Sequence, residues 1–278
     1  MEINQILNHL DLLFSKQDLQ TVEPFLTEQL DLAFENKEYN TCITIMNELI
    51  GFFRDTSQYQ KSLDYCEQVL RLMQQMGLED TLPYATTCLN VANALRAAGL
   101  HKESLAFFEK VFPIYQDQLD ANDERVASLY NNLSLLYQEM GDFESAVACL
   151  KQALAIVVNN QDTLKIAITH SNLGASLLQL NLTEQAMFHL EQALAIFNQD
   201  KEKDFHYNAA VAALGQVYVA QGKLSDAREC FQEALFEQQK HCGKSEAFYR
   251  ILENLHTVEK LWVSNLPQNR MICLFHQP

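Results

Sequence analysis

The sequence is poor in the two residues that most often interrupt helices, with 8 glycines and 5 prolines among 278 residues. This scarcity disfavours an all-β fold with many tight turns and favours long helices. Hydrophobic residues make up 48% of the chain, a composition that is typical of globular proteins and excludes a disordered one.

Basic residues are also few, because 20 Lys and Arg stand against 36 Asp and Glu and give a formal net charge of −16. That charge disfavours nucleic acid and anionic membrane surfaces as partners and favours partners with basic residues. No apolar run approaches the ~18 residues of a membrane span. The N-terminus also lacks the basic region and apolar run of a signal peptide. We therefore expect a cytoplasmic protein that contacts neither nucleic acid nor membrane.

The motifs of catalysis are missing as well. The seven cysteines form no C-x-x-C pair, which indicates a reduced protein that uses Cys as a small packing residue. The sequence contains no Gly-rich phosphate loop, G-x-S-x-G, H-E-x-x-H or EF-hand pattern. We therefore predict no catalytic residue, no metal site and no cofactor, and expect that the chain is not an enzyme.

What the sequence does contain is an internal repeat. Four segments align, each with an apolar stretch of helical period, a Gly or Asn, and a second such stretch. The aligned segments are 90–111, 132–153, 172–193 and 213–234, with a weaker copy at 48–69. Their turn residues are Gly99, Gly141, Asn181 and Gly222, separated by 42, 40 and 41 residues, with Ser57 at the weaker turn. Gly and Asn tolerate the left-handed conformation that ends a helix, so each unit is predicted to be an antiparallel helix pair.

Small residues recur at matched positions of both helices, where they let the paired backbones approach closely. In the second helices the set is Ser62, Ser104, Ala146, Ala186 and Ala227. In the first helices it is Ala92, Ser134, Gly174 and Gly215. The predicted helices are 2–15, 19–36, 39–55, 58–76, 82–98, 101–116, 122–140, 143–159, 163–180, 183–199, 203–221, 224–240 and 244–262.

These residues resemble the tetratricopeptide repeat, whose family pattern has Leu-Gly, Tyr, Gly, Ala, an aromatic residue and Ala at fixed offsets. The matching residues are Leu214, Gly215, Tyr218, Gly222, Ala227, Phe231 and Ala234. The period of 40–42 residues is longer than the usual unit and is similar to the kinesin-light-chain type. The early Trp of the family is absent, and its terminal Pro is missing from most units. The resemblance implies an all-α fold, a right-handed superhelical α-solenoid of antiparallel helix pairs.

The repeat also divides the chain. We predict a degenerate N-terminal helix pair that acts as a capping repeat at 1–38 and five tetratricopeptide-like repeats at 39–241. A C-terminal capping helix follows at 242–263, with Ser245 as its N-cap and with Leu252, Leu255 and Leu261 buried and Val258 at the margin. Residues 264–278 read as an irregular tail whose apolar residues 271–275 pack back onto the array.

Asparagine occupies one repeat position in three successive units, one residue before the packing residue of the first helix. These residues are Asn90, Asn132 and Asn172, with Glu48 and Ala213 at the same position in the flanking units. Asn is a weaker interior helix former than Ala by roughly 0.5–0.7 kcal/mol. The resemblance implies that first helices line a concave groove and that asparagines at this position clamp peptide backbones. The complete predicted site is Asn90, Asn93, Arg96, Asn131, Asn132, Asn172 and Gln216. The alternative is that the amides bridge adjacent repeats.

We therefore expect a non-enzymatic scaffold whose groove binds a protein or peptide partner that carries basic residues. Two alternatives remain open. Bacterial peptide-pheromone receptors use similar repeats, so the chain is also interpreted as a peptide-sensing regulatory domain, and a bacterial origin is expected. The third hypothesis is the accessory half of a larger enzyme. The sequence does not identify the partner or the oligomeric state.

Overall fold

The computed structural model describes residues 2–199, 205–242 and 245–264. Within these ranges the chain forms thirteen α-helices and no strand. Every helix end lies within two residues of the position predicted from the sequence. The all-α fold of antiparallel helix pairs is therefore confirmed for the described residues. The predicted tail from residue 265 onward, including the apolar residues 271–275, lies outside them.

The helices belong to two compact units, residues 1–121 and 122–278. The first unit contains α1 (Ile3–Ser15), α2 (Leu19–Glu35), α3 (Tyr39–Asp55), α4 (Tyr59–Gln75), α5 (Leu82–Ala97) and α6 (His101–Gln118). The second contains α7 (Glu124–Glu139), α8 (Phe143–Asn159), α9 (Thr163–Gln179), α10 (Thr183–Phe197), α11 (Phe205–Ala220), α12 (Leu224–Cys242) and α13 (Glu246–Ser264). Odd-numbered helices from α3 to α11 are the first helices of the pairs, and the following even-numbered helices are the second.

All five predicted turn residues adopt left-handed backbone conformations. The φ angles are 59° at Ser57, 77° at Gly99, 78° at Gly141, 59° at Asn181 and 73° at Gly222. At the turn after α7 the Gly141 N–H donates to the Gln138 carbonyl at 3.1 Å, and the Asp142 N–H donates to the Tyr137 carbonyl at 2.9 Å. This bonding pattern satisfies the last carbonyls of a helix and reverses the chain.

The matched small residues lie where paired helices cross. Ala146, Ala186 and Ala227 have no exposed surface. A Cβ atom added to Gly174 would lie 2.6 Å from Leu190 Cγ, and one added to Gly215 would lie 2.9 Å from Phe231 Cε1. The predicted register of the repeat core is therefore correct.

In the first unit, serines replace alanine at the same register and add a hydrogen bond. The Ser62 hydroxyl donates to the Ile50 carbonyl at 2.9 Å, and the Ser104 hydroxyl donates to the Ala92 carbonyl at 2.7 Å. Both hydroxyls are buried, so each bond satisfies a polar group that water cannot reach.

The C-terminal helix packs against α12, and its buried stripe differs from the predicted one. Ser245 caps α13 by accepting from the Phe248 N–H at 3.4 Å. The buried residues of α13 are Phe248, Ile251, Leu255 and Val258, spaced by three and four residues. Of the predicted set, Leu255 is correct. Leu252 lies beside the stripe and is half-buried. Leu261 is wrong, because it lies in the last turn beyond Val258 and is 42% exposed, whereas Val258 is central and 1% exposed.

Candidate functional site

The predicted site residues lie on first helices of both units. Asn90, Asn93 and Arg96 belong to α5 in the first unit, and Asn131 and Asn132 belong to α7 in the second. Asn172 lies on α9 and Gln216 on α11, also in the second unit. All of them except the buried Asn93 are half-buried. The continuity of one surface through all seven residues remains a prediction.

Asn90 takes part in a hydrogen-bond network between two neighbouring first helices. Its Nδ2 donates to Asn47 Oδ1 on α3 at 2.9 Å. Asn47 Nδ2 in turn donates to Thr87 Oγ1 on α5 at 3.0 Å and to the Ile43 carbonyl at 3.0 Å. Thr87 is completely buried, so the network satisfies a hydroxyl that water cannot reach. Asn90 therefore bridges repeats through its donor.

The same arrangement recurs in the second unit. Asn131 Nδ2 donates to Thr169 Oγ1 on α9 at 3.1 Å and more weakly to the Ala127 carbonyl at 3.3 Å. Gln138 Nε2 adds a bond of 2.7 Å to Ser176 Oγ. Asn131 thus joins α7 to α9, as Asn47 joins α3 to α5. Sequence reasoning missed Asn47, although it precedes Asn131 by 84 residues, two periods of 42.

Three further amides of the second unit are less occupied. Asn132 Nδ2 donates at 2.9 Å to the Ser128 carbonyl of its own helix. The side chains of Asn172 and Gln216 form no hydrogen bond within the described parts of the chain, and both are half-buried. An amide can donate two hydrogen bonds and accept two. Asn172 and Gln216 therefore keep their whole bonding capacity for a ligand or for water.

Asn93 is less accessible than its neighbours, because 6% of its surface is exposed. Its Oδ1 is buried and accepts no hydrogen bond from any residue that the structure describes. An unpaired buried acceptor loses the hydrogen bonds that water would provide, which raises the energy of the folded chain. One turn further along α5, Arg96 is half-buried and has polar partners of its own.

A cavity of about 500 Å³ opens in the first unit beside Asn90. Apolar side chains from the end of α1, the start of α2 and the second half of α3 form one part of its wall: Phe14, Leu19 and Phe52. Asn47, Glu48 and Asn90 form a polar part. The cavity thus combines exposed apolar surface with amide and carboxylate groups, as ligand-binding pockets commonly do.

Glu48 occupies the asparagine position of the repeat on α3. Burial raises the pKa of the Glu48 carboxyl above its ordinary value, and the charge of Asp11 raises it further. The carboxyl forms no hydrogen bond or ion pair within ranges 2–199, 205–242 and 245–264. Since burial of an unpaired carboxylate is unfavourable, a cation or an N–H donor bound beside Glu48 would be stabilised.

The structure also pairs two histidines that the sequence separates by 19 residues. The Nδ1 atoms of His170 on α9 and His189 on α10 lie 2.8 Å apart. The pKa of His170 is lowered to about 4, mainly by burial and to a smaller extent by the neighbouring His189. The pKa of His189 is also lowered, mainly by burial and to a smaller extent by the positive charge of Lys151. Both rings are therefore neutral at pH 7, so one Nδ1–H donates to the other Nδ1.

Five cysteines, Cys42, Cys66, Cys88, Cys149 and Cys230, are free thiols, and burial makes them poor nucleophiles. Burial raises the pKa of the Cys66 thiol to about 12 and the pKa values of Cys149 and Cys230 to about 11. Thiolate, the nucleophilic form, is therefore scarce at neutral pH. In the described part of the chain no three His, Cys, Asp or Glu side chains are grouped so that they could hold a metal ion. None of the helices described has the length and apolar composition needed to cross a membrane.

Relatives in other organisms share this repeat at low sequence identity. Response regulator aspartate phosphatase E of Bacillus subtilis is 23% identical over 205 residues, which are 73% of this chain and 52% of the relative. Protein KINESIN LIGHT CHAIN-RELATED 2 of Arabidopsis thaliana is 21% identical over 218 residues, 76% of this chain and 33% of the relative. The chain therefore spans about half of the first relative and a third of the second.

Solved structures show the same fold. NprR, in complex with its cognate peptide NprX, superposes with a TM-score of 0.70 at 15% identity and covers 97% of this chain and 75% of its own. BtubC (BKLC) from P. vanneervenii has a TM-score of 0.65 at 19% identity and covers 81% of this chain and 91% of its own.

A family comparison identifies the repeat directly. Tetratricopeptide-repeat models match residues 41–117, 83–157 and 125–199, which overlap, and residues 209–235. These matches extend over more than half of the sequence and coincide with the helix pairs α3 to α12. The chain belongs to the tetratricopeptide-repeat family.

Proposed function

We propose that this chain is a non-enzymatic binding module that holds a peptide segment of a partner against the first helices of its repeats. The observation that carries the proposal is the set of amides on these helices that have bonding capacity to spare, above all Asn172 and Gln216. An unoccupied amide pairs with the N–H and C=O groups of an extended peptide whatever its side chains are. The high pKa values of the buried thiols support a role without a nucleophile.

The partner segment is a basic one in this proposal. The formal charge of −16 gives the chain an attractive field for cationic peptides and a repulsive one for acidic peptides. The free state of Cys42, Cys66, Cys88, Cys149 and Cys230 supports a cytoplasmic location, where thiols stay reduced.

A peptide-sensing regulatory role is the second candidate. It is favoured by the likeness to NprR, which was solved with its cognate peptide and superposes on 97% of this chain. In both candidates a peptide contacts the first helices. They differ in whether peptide binding changes the activity of another protein.

The amides can be sorted by mutation into those that bind and those that bridge. The partner is first captured with the full chain and identified by mass spectrometry. We then expect the Asn132→Ala, Asn172→Ala double variant to bind that partner more weakly, by on the order of 1 kcal/mol for each hydrogen bond lost. Its melting temperature should stay the same or rise, because Ala is the better helix former.

Asn131→Ala is the matched control, because the same substitution one residue away removes the bond to Thr169. The gain in helix propensity is the same at each site, so the lost bridge should leave Asn131→Ala less stable than Asn172→Ala by about 1 kcal/mol. The reverse pattern, with the double variant losing stability while its affinity is unchanged, would show that Asn132 and Asn172 serve the fold and do not bind the partner.

A further inference from the structure

The cavity of the first unit, bounded by α1, α2, α3 and α5, has features that point to a particular ligand group. Its apolar wall is open to solvent, since Phe14 is 41% and Leu19 is 46% exposed. The rings of Phe14 and Phe52 lie 6.5 Å apart, centroid to centroid. Large exposed side chains at a concave site favour a ligand that brings apolar surface of its own.

The charge in the cavity is negative and unpaired. Arg54 is the basic residue of the lining, and its Nε donates to Asp55 Oδ1 at 2.8 Å, so its charge is already neutralised. Glu48 has no such partner among the described residues, and the group that acts on it electrostatically, Asp11, is another carboxylate. A positive group placed in this cavity would therefore meet a net negative field.

Gly51 leaves space in the cavity where other repeats have a side chain. It lies inside α3, at the register of Asn93, Leu135, Ala175 and Gln216. A Cβ atom built on Gly51 would meet nothing within 4 Å. Gly is the poorest helix former except Pro, so Gly51 makes α3 less stable than another residue would, and it keeps a volume free in the pocket wall. That volume lets a ligand approach the backbone of α3.

We propose that this cavity is the subsite for one lysine or arginine side chain of the bound peptide, an inference that rests on the proposed function. The aliphatic stem lies along Phe14 and Leu19. The cationic group pairs with the Glu48 carboxylate and lies near the Phe14 ring. Asn90 Oδ1, which accepts no hydrogen bond within the described chain, accepts from a peptide N–H beside that side chain. Asn47 and Asn90 hold each other in place for this contact.

The occupant is a side chain of a peptide for chemical reasons. A divalent metal ion needs several oxygen ligands held together, whereas Glu48 faces apolar walls and the other carboxylate of the lining, Asp55, is paired with Arg54. Neither a phosphate nor an acidic peptide suits a cavity whose unpaired charge is negative. Lys and Arg combine an apolar stem with a positive end, which matches the two parts of the wall.

The test uses a phage-displayed library of random dodecapeptides, selected against the full chain, with affinities measured by fluorescence anisotropy. We expect the selected peptides to share a Lys or Arg position. Glu48→Gln should weaken their binding about tenfold or more, and high salt should matter less to the variant than to the parent chain. Replacing the shared peptide residue by norleucine should produce a similar loss, and combining both changes should add little.

Two protein variants complete the design. Gly51→Leu fills the cavity, so peptide affinity should fall, while the circular-dichroism spectrum is kept and the melting temperature stays the same or rises because Leu is the better helix former. Glu35→Gln, an exposed glutamate at the end of α2 that removes the same charge outside the cavity, should leave affinity unchanged. Selected peptides that lack a shared basic position, or that bind Glu48→Gln as tightly as the parent chain, would overturn the subsite alone. Failure to select any peptide would overturn the proposed function and the subsite with it.

Discussion

Ala186→Leu is expected to reduce the free energy of unfolding by about 1–3 kcal/mol. Ala186 lies on α10 and has no exposed surface. Its carbonyl oxygen is 3.1 Å from the position of a Cβ on Gly174, so α9 and α10 pack closely here, and a fully buried side chain has little room for three more carbon atoms. The helices must move apart or Leu190 must leave its rotamer, and either change spreads through a core with few voids. Urea denaturation of the full chain measures the loss.

Ala195→Leu is the matched control for this substitution. Ala195 lies on the same helix but on its exposed face, so the new side chain extends into solvent. We expect a change within about 0.5 kcal/mol, as is usual for surface positions. An Ala186→Leu variant as stable as Ala195→Leu would mean that the helix crossing is looser than the structure indicates.

Removal of α13 should have the second large effect. A chain that ends at residue 242 loses the side chains of Ile251, Leu255 and Val258, which belong to the core of the second unit. Burial of each such side chain contributes roughly 1.5–3 kcal/mol, and only part of that gain is offset by the entropy of ordering the helix. The face of α12 that contacts α13 would become exposed to water.

We expect this truncated chain to melt about 5 °C lower or more, to bind a hydrophobic dye and to aggregate on heating. A chain that ends at Ser264 retains α13 and is the control, so the difference in melting temperature between the two shortened chains measures the contribution of α13. Light scattering and thermal denaturation measure both variants. A monodisperse truncation with an unchanged melting temperature would show that α13 does not cap the array.

Sequence periodicity located the helices and turns because these depend on local rules. A left-handed turn favours Gly, Asn or Ser, and a close helix crossing favours a small residue, so Gly141 and Ala186 are predicted from spacing and residue type together. The stripe of α13 was harder to place. The buried stripe depends on which face of α13 packs against α12. The sequence of α13 matches no other repeat, so the rotation of this helix about its axis is not predicted by comparison with other units.

The roles of the asparagines are not readable from the sequence for a similar reason. Successive residues of a helix point about 100° apart, so Asn131 and Asn132 face different directions. One contacts Thr169 on the neighbouring first helix, whereas the other bonds to its own helix. The rotation between adjacent repeats decides which of the two asparagines reaches the neighbouring first helix. The sequence does not show the pair of His170 and His189, because their contact depends on how α9 and α10 pack on either side of the Asn181 turn.

Hydrogen–deuterium exchange of the full chain, with and without a saturating selected dodecapeptide, tests the central claim most directly. The account predicts that added protection falls on the first helices of the pairs, α3 and α5 in the first unit or α7, α9 and α11 in the second. The second helices α4, α6, α8, α10 and α12 should exchange as in the free protein. Protection confined to the second helices would contradict the account, because the peptide would then lie on the face opposite the asparagines.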